Sequence, residues 1–179
     1  MPNRTGVVPD QAALAAAFRD LHGRRLHGFA MLLTLDPDRA ALLAAEALAA
    51  GAARADALRH PERGAAWLRA RVVGAARRAG RPAPRASGTL ELLGVDHATA
   101  AALASLDVAS RAAVIATITE GFDPRDVATI VGVEGRRLAR LVERGTERFL
   151  AARAMALGLV PPEGPTIDRL HAAARRAIT

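Results

Sequence analysis

Gly121 to Leu150, GFDPRDVATIVGVEGRRLARLVERGTERFL, reads as a short helix, a tight turn and a longer helix loaded with arginine. Asp123 is placed to cap the first helix, with Pro124 at its first position, where a missing N–H costs nothing. Val127, Ala128 and Val131 give that helix an apolar face. Gly132 permits a sharp turn, Val133 can fill its corner, and the second helix begins near Glu134. At about 100° per residue, Arg137, Arg140, Arg144 and Arg148 fall on one stripe with Arg136 at its edge, and Leu138, Val142 and Phe149 fall on another. Such a helix can pack on one side and meet phosphate on the other. This is the pattern of a helix-turn-helix on DNA, with Arg125 and Glu134 flanking the contact end. The plain alternative is a solvated helix face, but only Glu143 and Glu147 balance the stripe.

Composition supports an all-α chain with a nucleic-acid partner. Of the 179 residues, 51% are hydrophobic, which is enough for a core. Much of that fraction is alanine, so helices must approach closely. Aromatic residues make up only 3%, too few for the usual β-sandwich or barrel. The net charge is +7, and every basic residue is arginine. Arginine suits phosphate and guanine edges, although a GC-rich coding bias would also enrich it. Cysteine is absent, which excludes disulfides, thiolate nucleophiles and cysteine-based zinc sites. No apolar run is long enough to span a bilayer, and the polar start MPNRTGVVPD does not read as a signal peptide. A cytoplasmic location without membrane association is the expectation.

Outward from the opening stretch, the chain divides into helical groups. Asp10 opens a helix to about Leu33, carrying Leu14, Phe18, Leu21, Phe29 and Leu33 at helical spacing; Gly23 and Gly28 are possible break points. Asp36-Pro37-Asp38 closes it and caps a second helix that runs to about Leu58. His60-Pro61-Glu62 begins a third, to about Ala79. Gly80 to Gly88, GRPAPRASG, reads as a linker, and Leu90 to Leu93 as one helical turn. Helices resume near Ala98, with a segment from Asp107 to Thr119. After a break from Leu157 to Pro165, Thr166 caps an amphipathic helix with Ile167, Leu170, Ala174 and Ile178 on one side. The expected division is 10–79 (a three-helix domain), 80–97 (linker), 98–153 (helix-turn-helix domain) and 154–179 (C-terminal extension).

The third helix forms a second basic region. From Arg63 to Arg85 there are seven arginines and no acid. Arg63, Trp67, Arg71, Arg78 and Arg81 share a face opposite Leu68 and Val72, which suits backbone tracking with base stacking. The competing role for Trp67 is a core anchor. None of His22, His27, His60, His97 and His171 stands at ligand spacing with another candidate, and no nucleotide loop, catalytic triad or buried carboxylate pair is evident. No metal, cofactor or catalytic activity is expected.

Three pieces in order carry a family resemblance: PERGAAWLRARVVGAARR (Pro61 to Arg78), ALASLDVASRAAVI (Ala102 to Ile115) and GFDPRDVATIVGV (Gly121 to Val133). Together, over roughly Ala12 to Ala152, they resemble the bacterial RNA polymerase sigma factors of the compact, extracytoplasmic-function type. The matching positions are Pro61, Glu62, Ala66, Trp67, Leu68, Arg69, Leu103, Leu106, Arg111, Val114, Gly121, Ala128 and Gly132. The resemblance implies a promoter-melting domain, a linker and a region-four helix-turn-helix that reads an upstream element through Glu134 to Arg148, with Arg136, Arg137 and Arg140 foremost. In the melting-like domain it adds Arg69 and Arg77 to Arg63, Trp67, Arg71, Arg78 and Arg81 as DNA contacts. Its implied partners are core RNA polymerase and promoter DNA, with an anti-sigma factor as a further candidate.

Two stretches depart from the family pattern. The polymerase-docking helix usually reads Asp-Ala-Glu-Asp-Leu-Val-Gln-Glu. Here Arg39 to Glu46 keeps only Ala40, Leu43 and Glu46, and Arg39 reverses a charge; Arg39, Leu42, Leu43 and Glu46 are the contact candidates. The usual Thr-Val-Lys-Ser-Arg of the recognition helix is replaced by Arg137-Leu138-Ala139-Arg140-Leu141. The alternative function is therefore a degenerate sigma-like regulator that binds DNA or a protein partner without initiating transcription. A third reading is a plain helical interaction protein whose arginines only solubilise it.

Overall fold

The computed structural model describes residues 11–55, 57–58, 60–79, 90, 94–159 and 167–178. All regular structure among them is helical. The helices are α1 (Gln11–Thr34), α2 (Pro37–Ala52), α3 (Pro61–Arg78), α4 (His97–Ser105), α5 (Val108–Val114, continuing as a π-helical turn Ile115–Thr119), α6 (Pro124–Val131), α7 (Gly135–Ala156) and α8 (Ile167–Ile178). The expected linker at Gly80 to Gly88 with Arg81, most of the Leu90 to Leu93 turn, and the Thr166 cap lie outside the described residues.

Aspartates set most of the helix starts. Asp36 accepts the N–H groups of Asp38 and Arg39 at 3.1 and 3.2 Å. Asp96 accepts Thr99 N–H at 2.6 Å, and Asp107 accepts those of Ala109 and Ser110 at 2.9 and 3.0 Å. Each bond satisfies a donor that a helix N-terminus otherwise leaves open. At the end of α1, Leu35 turns into left-handed backbone, φ 54°, with its side chain buried. Helix α1 runs unbroken through Gly23 and Gly28. Helix α2 ends at Ala52 rather than near Leu58.

Small residues let the helices cross closely. At Gly51 in α2, a Cβ would stand 2.6 Å from the Phe18 ring of α1 and 3.0 Å from Leu68 of α3. At Gly145 in α7, a Cβ would stand 3.0 Å from Val114 and 3.4 Å from the Ser110 carbonyl of α5. Phe18, Leu26, Phe29, Leu43, Leu68, Val72, Leu103, Ile115, Val127, Ile130 and Phe149 belong to one continuous buried cluster. Leu21, expected on the core face of α1, is exposed. It lies about 80° round the helix from Phe29, and Leu26 and His22 occupy the buried arc instead.

Helices before and after residues 80–93 share that core. Helix α3 packs against α6, and α1 touches α4, α5 and the π-turn. Two buried arginines fasten the contact. Arg111 of α5 donates from Nη1 to the Leu33 carbonyl at 2.6 Å, and from Nη2 to the Leu106 carbonyl at 2.9 Å. Arg69 of α3 forms a two-pronged ion pair with Glu120, through Nε and Nη2, while its Nη1 donates to the Ala65 carbonyl at 3.1 Å. The π-turn serves this pairing: Glu120 N–H reaches back to Ile115 O at 3.1 Å and Phe122 N–H to Ala116 O at 3.0 Å. The widened turn brings Glu120 and Phe122 to Arg69.

Candidate nucleic-acid interface

The interface begins with a short capped helix. Asp123 accepts the N–H groups of Arg125 and Asp126 at 2.8 and 2.9 Å, and Pro124 follows it, so α6 starts where the chemistry of these residues demands. Gly132 stands at φ 68° and donates its N–H to the Ala128 carbonyl at 2.7 Å. This left-handed residue closes α6 and turns the chain, a role that suits glycine because it has no Cβ. Glu134 precedes α7 in extended conformation without a side-chain capping bond, and Gly135 adopts φ 57°.

Helix α7 separates its faces as its periodicity requires. Leu138, Gly145, Thr146, Phe149 and Leu150 are buried. Arg136, Arg137, Arg140, Arg144 and Arg148 are exposed, as are Glu134 and Arg125. None of these five arginines joins an ion pair among the described residues, whereas Arg153, farther along α7, pairs with Asp96 at 3.1 Å. The five guanidinium groups stay hydrated and free to exchange water and counterions for phosphate.

The α3 arginines divide. Arg63, Arg71 and Arg78 are exposed, and Trp67 is half-buried. The Trp67 ring packs against the core, the anchoring role weighed for it, and also faces Arg71 at 5.2 Å and Arg54 at 6.0 Å. Trp67, Arg71, Gly74, Arg78 and Glu46 line a cleft of about 300 Å³ between α2 and α3.

Two α3 arginines do other work than expected. Arg69 is only 2% exposed and lies between Phe29 and Phe122, at 5.5 and 4.9 Å from their ring centres. It offers no surface to DNA, because it falls in the middle of the buried arc with Val72, Val73 and Ala76. Arg77 is exposed at its margin, but its Nη2 donates to the Val131 carbonyl at 2.9 Å and so caps the C-terminus of α6. Arg81 lies outside the described residues.

In α2, Leu42 and Glu46 are exposed and Arg39 is half-buried. Leu43 is buried in the core between α2 and its neighbours, which removes it as a docking contact. Leu42 and Glu46 therefore form the accessible part of that face.

Charges on α3 act on Asp126 of α6. Burial raises the Asp126 pKa, and the charges of Asp123 and Glu62 push it further the same way. His22 sits against Phe18, ring centres 4.6 Å apart, and its pKa is lowered by burial and then by the Arg69 charge. No group of His, Cys, Asp and Glu able to hold a metal ion occurs among the described residues. No helix described is long and apolar enough to cross a membrane.

Sequence periodicity did not reveal the roles of Glu120, Phe122 and Arg111. Their partners lie 51 and 78 positions away for Glu120 and Arg111, beyond the reach of any local pattern. A signal existed for Arg69, whose place on the helical wheel among apolar residues marks it as buried. No family model, curated protein or solved structure matches this chain.

Proposed function

We propose that this chain is a sigma-factor-like transcription protein. It binds promoter DNA through a region-four-type helix-turn-helix formed by α6 and α7, and core RNA polymerase through the exposed face of α2. It acts in the cytoplasm and catalyses no reaction of its own. The observation that carries this reading is the row of exposed, unpaired arginines on α7 behind the left-handed turn at Gly132. Arg63, Arg71 and Arg78 beside Trp67 supply the second, strand-tracking surface. The experiment is a pull-down with core RNA polymerase followed by promoter-dependent run-off transcription. Core binding and a specific transcript are expected; absence of both contradicts the reading.

A second reading, a sigma-like regulator that does not initiate, has its own support. Arg69 and Arg77 of the melting-like helix are spent on Glu120 and on the C-terminus of α6. The docking stretch Arg39 to Glu46 is also short of acids. This reading expects duplex binding without a transcript and without tight core association. A run-off product at wild-type levels of a known initiator would dismiss it.

A further inference from the structure

The two basic regions, far apart in sequence, meet in the fold. Arg77 Nη2 donates to the Val131 carbonyl at 2.9 Å, which sets the C-terminal end of α3 against the turn that leads into α7. Near the start of α6, Asp126 feels the charges of Glu62 and Arg63, so α6 lies against α3 from its first turn to its last. Arg77 stands about 80° round α3 from Trp67, at the edge of the face that carries Arg71 and Arg78. All three arginines are exposed. Across the hydrogen bond, Gly132 and the run from Glu134 to Arg137 are exposed as well. An open surface path thus leads from Arg71 and Arg78, through Arg77, to Arg136, Arg137 and Arg140 of α7, crossing the acid Glu134.

The path is short. Arg136 follows Val131 by five residues, which cover at most about 18 Å even when fully extended. One turn of duplex measures about 34 Å, so both basic faces come within reach of a single turn. Neither Arg71 nor Arg78 joins an ion pair among the described residues. Arg71 rests over the Trp67 ring at 5.2 Å, and Arg78 lies back along α3, its Nη1 3.6 Å from where a Cβ at Gly74 would stand. A guanidinium laid on a ring or along a helix is ordered in advance, yet keeps N–H groups open to phosphate.

We infer that α3 and α7 grip one and the same turn of duplex DNA. Arg71 and Arg78 meet one stretch of phosphates, Arg137 and Arg140 the next, and Arg77 is the positioning residue that holds the two helices in register. This shared surface rests on α7 being the DNA-contacting helix, and adds that α3 needs no DNA element of its own.

The full chain is titrated, over a range of salt, with a duplex of about 12 bp, just over one turn, and with one of about 40 bp. Wild type is compared with Arg71→Gln plus Arg78→Gln, which keeps the packing stems, and with Arg137→Ala plus Arg140→Ala. Circular dichroism checks that the variants, all at exposed positions, keep their helices. One chain per short duplex is expected. Each pair of substitutions should flatten the log–log salt slope by about 2 on the short duplex, and equally on the long one, since each arginine answers for one phosphate. An α3 effect on the long duplex alone, no α3 effect on either, or two short duplexes bound per chain overturns the shared surface and leaves α7 in place. Absence of salt-dependent binding to both duplexes in wild type removes the α7 reading, and the shared surface with it.

Discussion

Arg69 carries its guanidinium between the rings of Phe29 and Phe122 and meets both oxygens of Glu120. A charge this deep depends on its partner, since desolvation is costly unless the pair and its hydrogen bonds are complete. Arg69→Met should therefore destabilise the fold by about 3 kcal/mol in urea titrations, by stranding the Glu120 carboxylate. The double variant Arg69→Met with Glu120→Leu should recover much of that loss. If the double variant is no better than the single one, the pair is not the origin of the cost. Asp107 makes a second residue-scale test. Burial acts to raise its pKa, but bonds from the Ser110 N–H and hydroxyl and the Ala109 N–H outweigh this and hold it below the ordinary carboxylate value. A lowered folded pKa stabilises the fold above the unfolded pKa and loses that contribution as pH falls through the folded one. Wild type should thus lose thermal stability more steeply than Asp107→Asn as pH falls below the ordinary carboxylate pKa, by up to the roughly 1 kcal/mol that such a cap contributes. Parallel profiles would remove Asp107 from the acid transition.

Helix starts were the most legible elements, because an aspartate cap is a local device that acts within three residues. Asp36, Asp107 and Asp123 all cap where their positions suggest. Gly132 likewise needed only its neighbours to be read as the turn. The π-turn at Ile115–Thr119 was not legible: IATIT continues an apolar helical pattern, and the arginine that the widened turn meets, Arg69, lies 51 positions from Glu120. The uninterrupted course of α1 through Gly23 and Gly28 had a similar cause, since packing on α2 outweighs the weak helix preference of glycine. Close crossing makes a prediction at this scale. Gly145→Leu would drive a branched side chain into Val114 and the rigid Ser110 carbonyl, which cannot yield. A loss of about 2 kcal/mol or more is expected in chemical denaturation. An unchanged midpoint would mean α5 and α7 do not cross as closely as described.

At the scale of the whole molecule, the sequence showed helical groups separated by a Pro- and Gly-rich stretch, and the two basic faces of α3 and α7. It did not show that α3 and α6 pack together, because that contact is written in single residues far apart: Arg69 to Glu120, Arg77 to Val131, Arg111 to Leu33. A core shared across those helices should melt as one unit. Urea unfolding followed by Trp67 fluorescence, which reports α3, and by helical circular dichroism should give coincident transitions; two separated transitions would mean the helix groups are independent. The proposed duplex contact, by contrast, is carried chiefly by α7, and the central claim stands or falls there. Its most direct measurement is the salt dependence of duplex affinity for wild type and for Arg137→Ala with Arg140→Ala. Each lost phosphate contact should flatten the log–log slope by about 0.9, so the double variant should bind more weakly with a slope shallower by about 2. Equal affinity and an equal slope in the two proteins would contradict the assignment of α7 as the DNA-contacting helix.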